Sequence, residues 1–282
     1  MTRKKRISNF ISVFILCTIY LTVKSNKTTS AISQSPSSPT LSRVLVASDT
    51  ISPALDCPPP PTCEGDCAKL LKTITFERDR SNWGNYYYDI SKAVESMGFG
   101  NGTFVEIGVA YGGLSLAMLE QNPELNVIAI DPFLGGYDGR DIMSDFFKDL
   151  PSRYGGTNFS ALWAQALASE AGQRFGCRYR LINDLSNVGA REVLDSSVDV
   201  VFIDGNHQKE AVRSDINAWR AKLKPARNAL FFNDYQPDKW PGVVQAVDEY
   251  IASSGLKLFY IGDRDWGNVG ISGNLKLRKS NR

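Results

Sequence analysis

Histidine is nearly missing: the chain of 282 residues holds one, His207. Imidazole acid–base chemistry near neutral pH therefore has a single candidate. Cysteine is scarce at five, with no paired CxxC spacing, so disulfides fit the pattern better than a thiolate zinc site. No segment carries G-x-G-x-x-G, the spacing that seats a dinucleotide pyrophosphate. A concentrated basic face is also lacking. The net charge is only +2, and eight cationic residues (Arg3, Lys4, Lys5, Arg6, Lys276, Arg278, Lys279 and Arg282) sit at the two ends of a mildly acidic body. Nucleic acid is set aside as a partner on that ground.

What is present is ordinary globular material. Apolar residues make up 43% and charged residues 22%, which excludes a disordered, collagen-like or multi-span membrane chain. A common domain has about 100–150 residues, so this length suggests one large domain with appendages.

The appendages are at the N-terminus. Residues 7–23, ISNFISVFILCTIYLTV, are uncharged and follow the cluster Arg3–Arg6. A spanning helix needs about 17–25 apolar residues, and cations ahead of it hold the N-terminus in the cytosol. Residues 1–24 thus read as a basic tail and signal anchor; a cleaved signal peptide, with secretion, is the alternative. Residues 25–83 read as a stem. They open on a Ser/Thr/Pro-rich stretch without apolar periodicity and contain Cys57, Cys63 and Cys67. With Cys177 these allow two disulfides in an oxidising lumen, in a pairing the sequence leaves open. The expected location is a secretory-pathway membrane, Golgi or endoplasmic reticulum, with the catalytic part luminal; sequons at Asn26, Asn101 and Asn158 agree with it.

From residue 84 to the end, short β-branched runs alternate with amphipathic stretches, the pattern of a parallel sheet flanked by helices. Seven strands are expected, in TFVEIGV, NVIAIDPF, CRYRLIND, VDVVFIDG, NALFFNDY, LKLFYIG and NVGISG. The last two are joined by only DRDW, and a parallel crossover needs about a dozen residues. The expected fold is α/β and Rossmann-like, mostly parallel, with a C-terminal antiparallel hairpin and helices on both faces.

Ligands of such sheets lie beyond the carboxyl ends of the strands. There the sequence places Glu106, Gly108, Tyr111, Gly112 and Gly113 after the first strand and Asp131 after the second. Asn183 and Asp184 follow the third, Asp204 to His207 the fourth, and Asn233 and Asp234 the fifth. Glycines between strand and helix admit a ligand close to backbone amides, and Asp131 is placed to grip a ribose. Glu106 disfavours a diphosphate and favours a cationic ligand. His207 is the candidate general base, with Asp204 as the alternative. Two further features have bland readings: Asp263-Arg264-Asp265 as a solvated turn away from the nucleotide side, and Trp83 with Tyr86, Tyr87 and Tyr88 as a lid or a sugar-stacking surface.

FVEIGVAYGGLS, IAIDPF, VDVVFIDGNHQKEAVRSDINAW and NDYQPDKWPGVVQAVDEY, in this order, resemble class I S-adenosylmethionine-dependent methyltransferases, and among them the metal-dependent, macrocin-type sugar O-methyltransferases. The resemblance implies that Gly108, Gly112 and Gly113 line the cofactor's methionine end, with Glu106 near its ammonium and Tyr111 also among the cofactor-binding residues. It further implies Ser115 as an added hydrogen bond, Asp131 on the ribose and Asp184 near the adenine. Asp204, Asn233 and Asp234 would hold magnesium or manganese, Asn233 standing where macrocin-type enzymes tend to carry a second Asp. The implied reaction is methylation of a hydroxyl on a sugar or glycoconjugate, in a monomer or homo-oligomer. A nucleotide-sugar glycosyltransferase and a noncatalytic scaffold are the alternatives.

Overall fold

A computed structural model describes residues 57–81, 84–134, 149–154, 156–262, 267–273 and 278–279. They fall within one unit, Pro53–Arg282. Five parallel strands form its centre: β1 (Thr103–Ile107), β2 (Asn126–Ile130), β3 (Tyr179–Ile182), β4 (Val200–Ile203) and β5 (Ala229–Phe232). Beyond β5, β7 (Val269–Ser272) runs antiparallel between β5 and β6 (Lys257–Ile261), and the two-residue β8 (Arg278–Lys279) lines the outer edge of β6. The order is β3-β2-β1-β4-β5-β7-β6-β8. The expected seven strands and closing hairpin are all there, with β8 as an addition.

Side chains alternate across the pleat, so each strand feeds two cores. Phe104, Val127, Phe202 and Phe231 face the larger one, with helices α1 (Asp66–Arg80), α2 (Gly84–Ser96), α3 (Gly113–Gln121) and α4 (Phe159–Phe175) on that side. Val105, Ile130, Val201 and Phe232 face the other, covered by the four-residue α5 (Ser186–Gly189), α6 (Lys209–Trp219) and α7 (Pro241–Ser254). Every residue of β4 and β5 is buried, which explains why those runs are apolar throughout instead of alternating.

Three expectations need correction. The folded body begins upstream of residue 84: α1, in the presumed stem, buries Cys67, Leu70 and Ile74 and packs along α4. Their spacing places them on one helical face, a pattern masked by the charged residues between them. The run LSNVGAREVL, whose pattern reads as a single helix, forms a short α-helix and a 3₁₀ turn over residues 186–192. The single-pass, secretory-pathway location is withdrawn: among the described residues no helix is long and apolar enough to cross a membrane, and the stretch 7–23 that carried the expectation lies outside the described residues.

The cysteines pair as Cys57–Cys177 and Cys63–Cys67. Between them the chain runs along α4, where Pro60 lies against Gly172 and Gln165 donates to the Thr62 carbonyl at 2.7 Å.

Candidate functional site

The strand order reverses at β1 and β4, one leading to β2 and the other to β5, and the polar residues gather at that switch point. The turn from β1 to α3 is tight. Gly108, Ala110 and Gly112 have φ of 85°, 48° and 76°. A Cβ on Gly108 would stand 2.0 Å from the Asp204 carbonyl oxygen, so glycine there lets the ends of β1 and β4 come together. Asp131, at the tip of β2, fixes the turn from the side: Oδ2 accepts the amides of Val109 and Ala110 at 2.7 and 3.1 Å, and Oδ1 that of Phe133 at 2.7 Å. Trp163 of α4 donates Nε1 to the Ala110 carbonyl at 2.9 Å, and Arg78 of α1 donates to that of Tyr111 at 3.1 Å.

Glu106 points into the larger core and is 3% exposed. Burial, together with nearby Asp204 and Asp131, holds its carboxyl well above the usual range; the Ser115 hydroxyl, hydrogen-bonded to Oε2, opposes that shift. Ser115 is thus committed to Glu106 and fully buried. The Tyr111 ring is likewise directed into the core beside Trp163, its centroid 6.1 Å away. Both side chains are packed inside the protein, Ser115 on Glu106 and Tyr111 beside Trp163.

The second half of the site lies at the ends of β4 and β5. Asn233 donates Nδ2 to Asp204 Oδ1 at 2.9 Å and to Asp234 Oδ2 at 3.1 Å. His207 Nε2 is 2.9 Å from Asp234 Oδ2, and its ring stacks on Trp240 with centroids 3.9 Å apart. Tyr86 of α2 donates to Asp204 Oδ2 at 3.2 Å. Burial first, then Asp234, pushes the Asp204 carboxyl up to about 7, against the opposing pull of Asn233, His207 and Tyr86. One ligand atom each from Asp204, His207 and Asp234 lie within 4.8 Å of one another. The Asn233 Oδ1 is buried with no hydrogen-bond partner. Carboxylate and amide oxygens with one imidazole are donors that hard divalent ions accept, and an unsatisfied buried carbonyl is a cost that such an ion removes. A cleft at this end is lined by Asp204, Asn206, His207 and Asn233, with Val212 and Val243.

The structure therefore brings Glu106, Gly108, Gly112, Gly113, Asp131, Asp204, His207, Asn233 and Asp234 to adjacent strand ends. Asp184 stands apart at the end of β3, exposed, its Oδ1 accepting the Leu185 amide. Of the aromatic cluster, Tyr86 is buried against Phe202 and Tyr87 packs on Gly113, while Tyr88 is exposed beneath Lys92; Trp83 lies outside the described residues. The Asp263–Asp265 turn also lies outside them; next to it, among the described residues, the Tyr235 amide donates to the Gly267 carbonyl at 2.8 Å. The holding roles of Arg78 and Trp163 had no signal in the sequence.

Residues 105–235, which contain every residue expected in the site, match a family model described as a methyltransferase domain. That segment of the chain is similar to a methyltransferase domain and makes up less than half of the 282 residues. A curated relative, an uncharacterised protein of Acanthamoeba polyphaga mimivirus, is 28% identical over 152 residues, or 53% of this chain; the match spans 59% of that relative. Solved structures similar to it include a SAM-dependent methyltransferase from Aquifex aeolicus (13% identity, TM-score 0.45, 71% of this chain and 96% of that one) and a calicheamicin methyltransferase (16%, 0.45, 74% and 91%).

Proposed function

We propose that the protein transfers a methyl group from S-adenosylmethionine to a hydroxyl of a sugar or glycoconjugate, assisted by a divalent metal. One observation carries the reading: a glycine turn suited to a nucleoside ligand lies directly beside a cluster of hard donors with one histidine. The cofactor's methionine end lies against the backbone of the turn 108–113, with the buried Glu106 behind that turn on the side of its ammonium, and its ribose is taken by Asp131. Asp184 marks the adenine end at β3. Asp204, Asn233 and Asp234 are the residues that would hold magnesium or manganese; such an ion lowers the pKa of a bound hydroxyl and orients it. The acceptor hydroxyl gives its proton to His207, its oxygen forms the new bond to the methyl carbon, and the carbon–sulfur bond breaks to release S-adenosylhomocysteine. Trp240 and Asp234 fix the imidazole for that task. The sugar acceptor is supported by the DG-x-H and WPGV resemblance.

The test is transfer of labelled methyl from S-adenosylmethionine to a panel of sugar acceptors, with and without EDTA. Turnover that is lost on chelation, restored by magnesium or manganese, and lowered about 100- to 10,000-fold in His207→Ala is the expected result. Turnover indifferent to both chelation and that substitution would remove the mechanism.

A further inference from the structure

The turn that the proposed function assigns to the cofactor cannot hold its shape alone. Ala110 carries a side chain at a φ of 48°, in the left-handed region, which persists only where the surroundings impose it. Three groups from outside the turn do so. Two belong to the segment that matches the methyltransferase domain: Asp131, on the amides of Val109 and Ala110, and Trp163, on the Ala110 carbonyl. The third does not. Arg78 comes from α1, upstream of that segment, and its Nη1 reaches the Tyr111 carbonyl at 3.1 Å.

The aim of Arg78 is itself constrained. Nη1 and Nη2 grip Glu170 of α4 at 3.0 and 2.6 Å, and the two side chains are only 12% and 15% exposed. A guanidinium is planar, so a two-pronged carboxylate contact fixes its plane and with it the direction of the other Nη1 hydrogen, which meets the Tyr111 carbonyl, while Nη2 also reaches Thr75 Oγ1 at 3.5 Å. The Tyr111–Gly112 peptide is in turn pinned at both faces, since the Gly112 amide donates to the Val109 carbonyl at 2.8 Å. Because a peptide unit is rigid and planar, fixing its carbonyl fixes the amide on the opposite side.

We infer that Arg78 is a positioning residue for the cofactor turn, so that α1, with the disulfide-tied segment ahead of it, sets the affinity for the nucleoside cofactor. The inference rests on the reading that S-adenosylmethionine binds at residues 108–113. Arg78 touches no reacting atom; it acts through the Tyr111 carbonyl.

The experiment is calorimetric titration with S-adenosylhomocysteine, paired with thermal unfolding, on the full chain and on Arg78→Met, Arg78→Lys and Ile74→Val. Ile74 is fully buried on the same helix, so its trimming loosens α1 packing without touching the clamp. Arg78→Met is expected to weaken binding at least tenfold, Arg78→Lys to recover part of that loss, and Ile74→Val to lower Tm with Kd unchanged within twofold. Equal Kd in Arg78→Met and wild type would overturn the inference. So would loss of affinity that merely tracks Tm across all three variants. A wild-type chain that does not bind S-adenosylhomocysteine would instead overturn the functional reading and take the inference with it.

Discussion

Gly108 joins two demands at one position, a left-handed φ and the approach of a neighbouring strand's carbonyl. Adding one methyl there forces the ends of β1 and β4 apart. Gly108→Ala is expected to cost about 3–5 kcal/mol, read as a large fall in Tm. Asp215 shows the opposite kind of strain. It is buried on α6, and burial pushes its carboxyl up to about 6 in spite of a hydrogen bond from Ser186. Since an unfolded Asp titrates near 3.9, the folded state retains a proton between about pH 4 and 6 that the unfolded state has lost. Stability therefore falls as pH rises through that window and stays reduced above it. Asp215→Asn removes the penalty: it should raise stability by about 1–3 kcal/mol at pH 7–8 and leave it unchanged near pH 4, as thermal melts at both pH values will show.

At the scale of elements, α2 reaches the site through one hydroxyl. Tyr86→Phe keeps the ring against Phe202 and deletes the bond to Asp204. A hydrogen bond to a charged group contributes about 1.5–3 kcal/mol, so kcat should fall about tenfold or more while KM for the cofactor stays near wild type. Steady-state kinetics at saturating cofactor measures this. The strands were legible in the sequence because each is a short β-branched or aromatic run, and the closing hairpin because its linker is too short for a crossover. The site was legible where it follows strand ends: Asp204, Asn233 and Asp234 meet as their positions imply. Sequence could not reveal α1, whose three buried residues are diluted by charged neighbours next to a proline-rich stretch. Nor could it show which way Tyr111 and Ser115 face, because rotamers beside a turn are decided by packing partners far along the chain: Trp163 in one case, the buried carboxyl of Glu106 in the other.

For the whole molecule, Cys57–Cys177 is the longer-range of the two disulfides among the described residues and closes a loop across 120 positions. Cross-links of such loops stabilise mainly by restricting the unfolded chain, by about 2–4 kcal/mol. The double substitution Cys57→Ser and Cys177→Ser should therefore lower Tm by roughly 5–15 °C, as calorimetry can measure. S-adenosylhomocysteine affinity unchanged from wild type in that variant at low temperature would show that α1 keeps its seat through Cys67, Leu70 and Ile74 without that bridge.

The antiparallel course of β7 has a consequence for how such a molecule diversifies. With every strand parallel, each return path would reach the opposite end of the sheet, and only the turns that follow β1 to β5 would border the site. Because one strand is turned around, the described ends of the β6–β7 hairpin, Gly262 and Gly267, come to the same edge of the sheet as the end of β5, where Gly267 accepts the Tyr235 amide. On the proposed function, changes of length or charge beside Gly262 and Gly267 would alter acceptor choice and leave the strand ends of β1, β4 and β5 as they are.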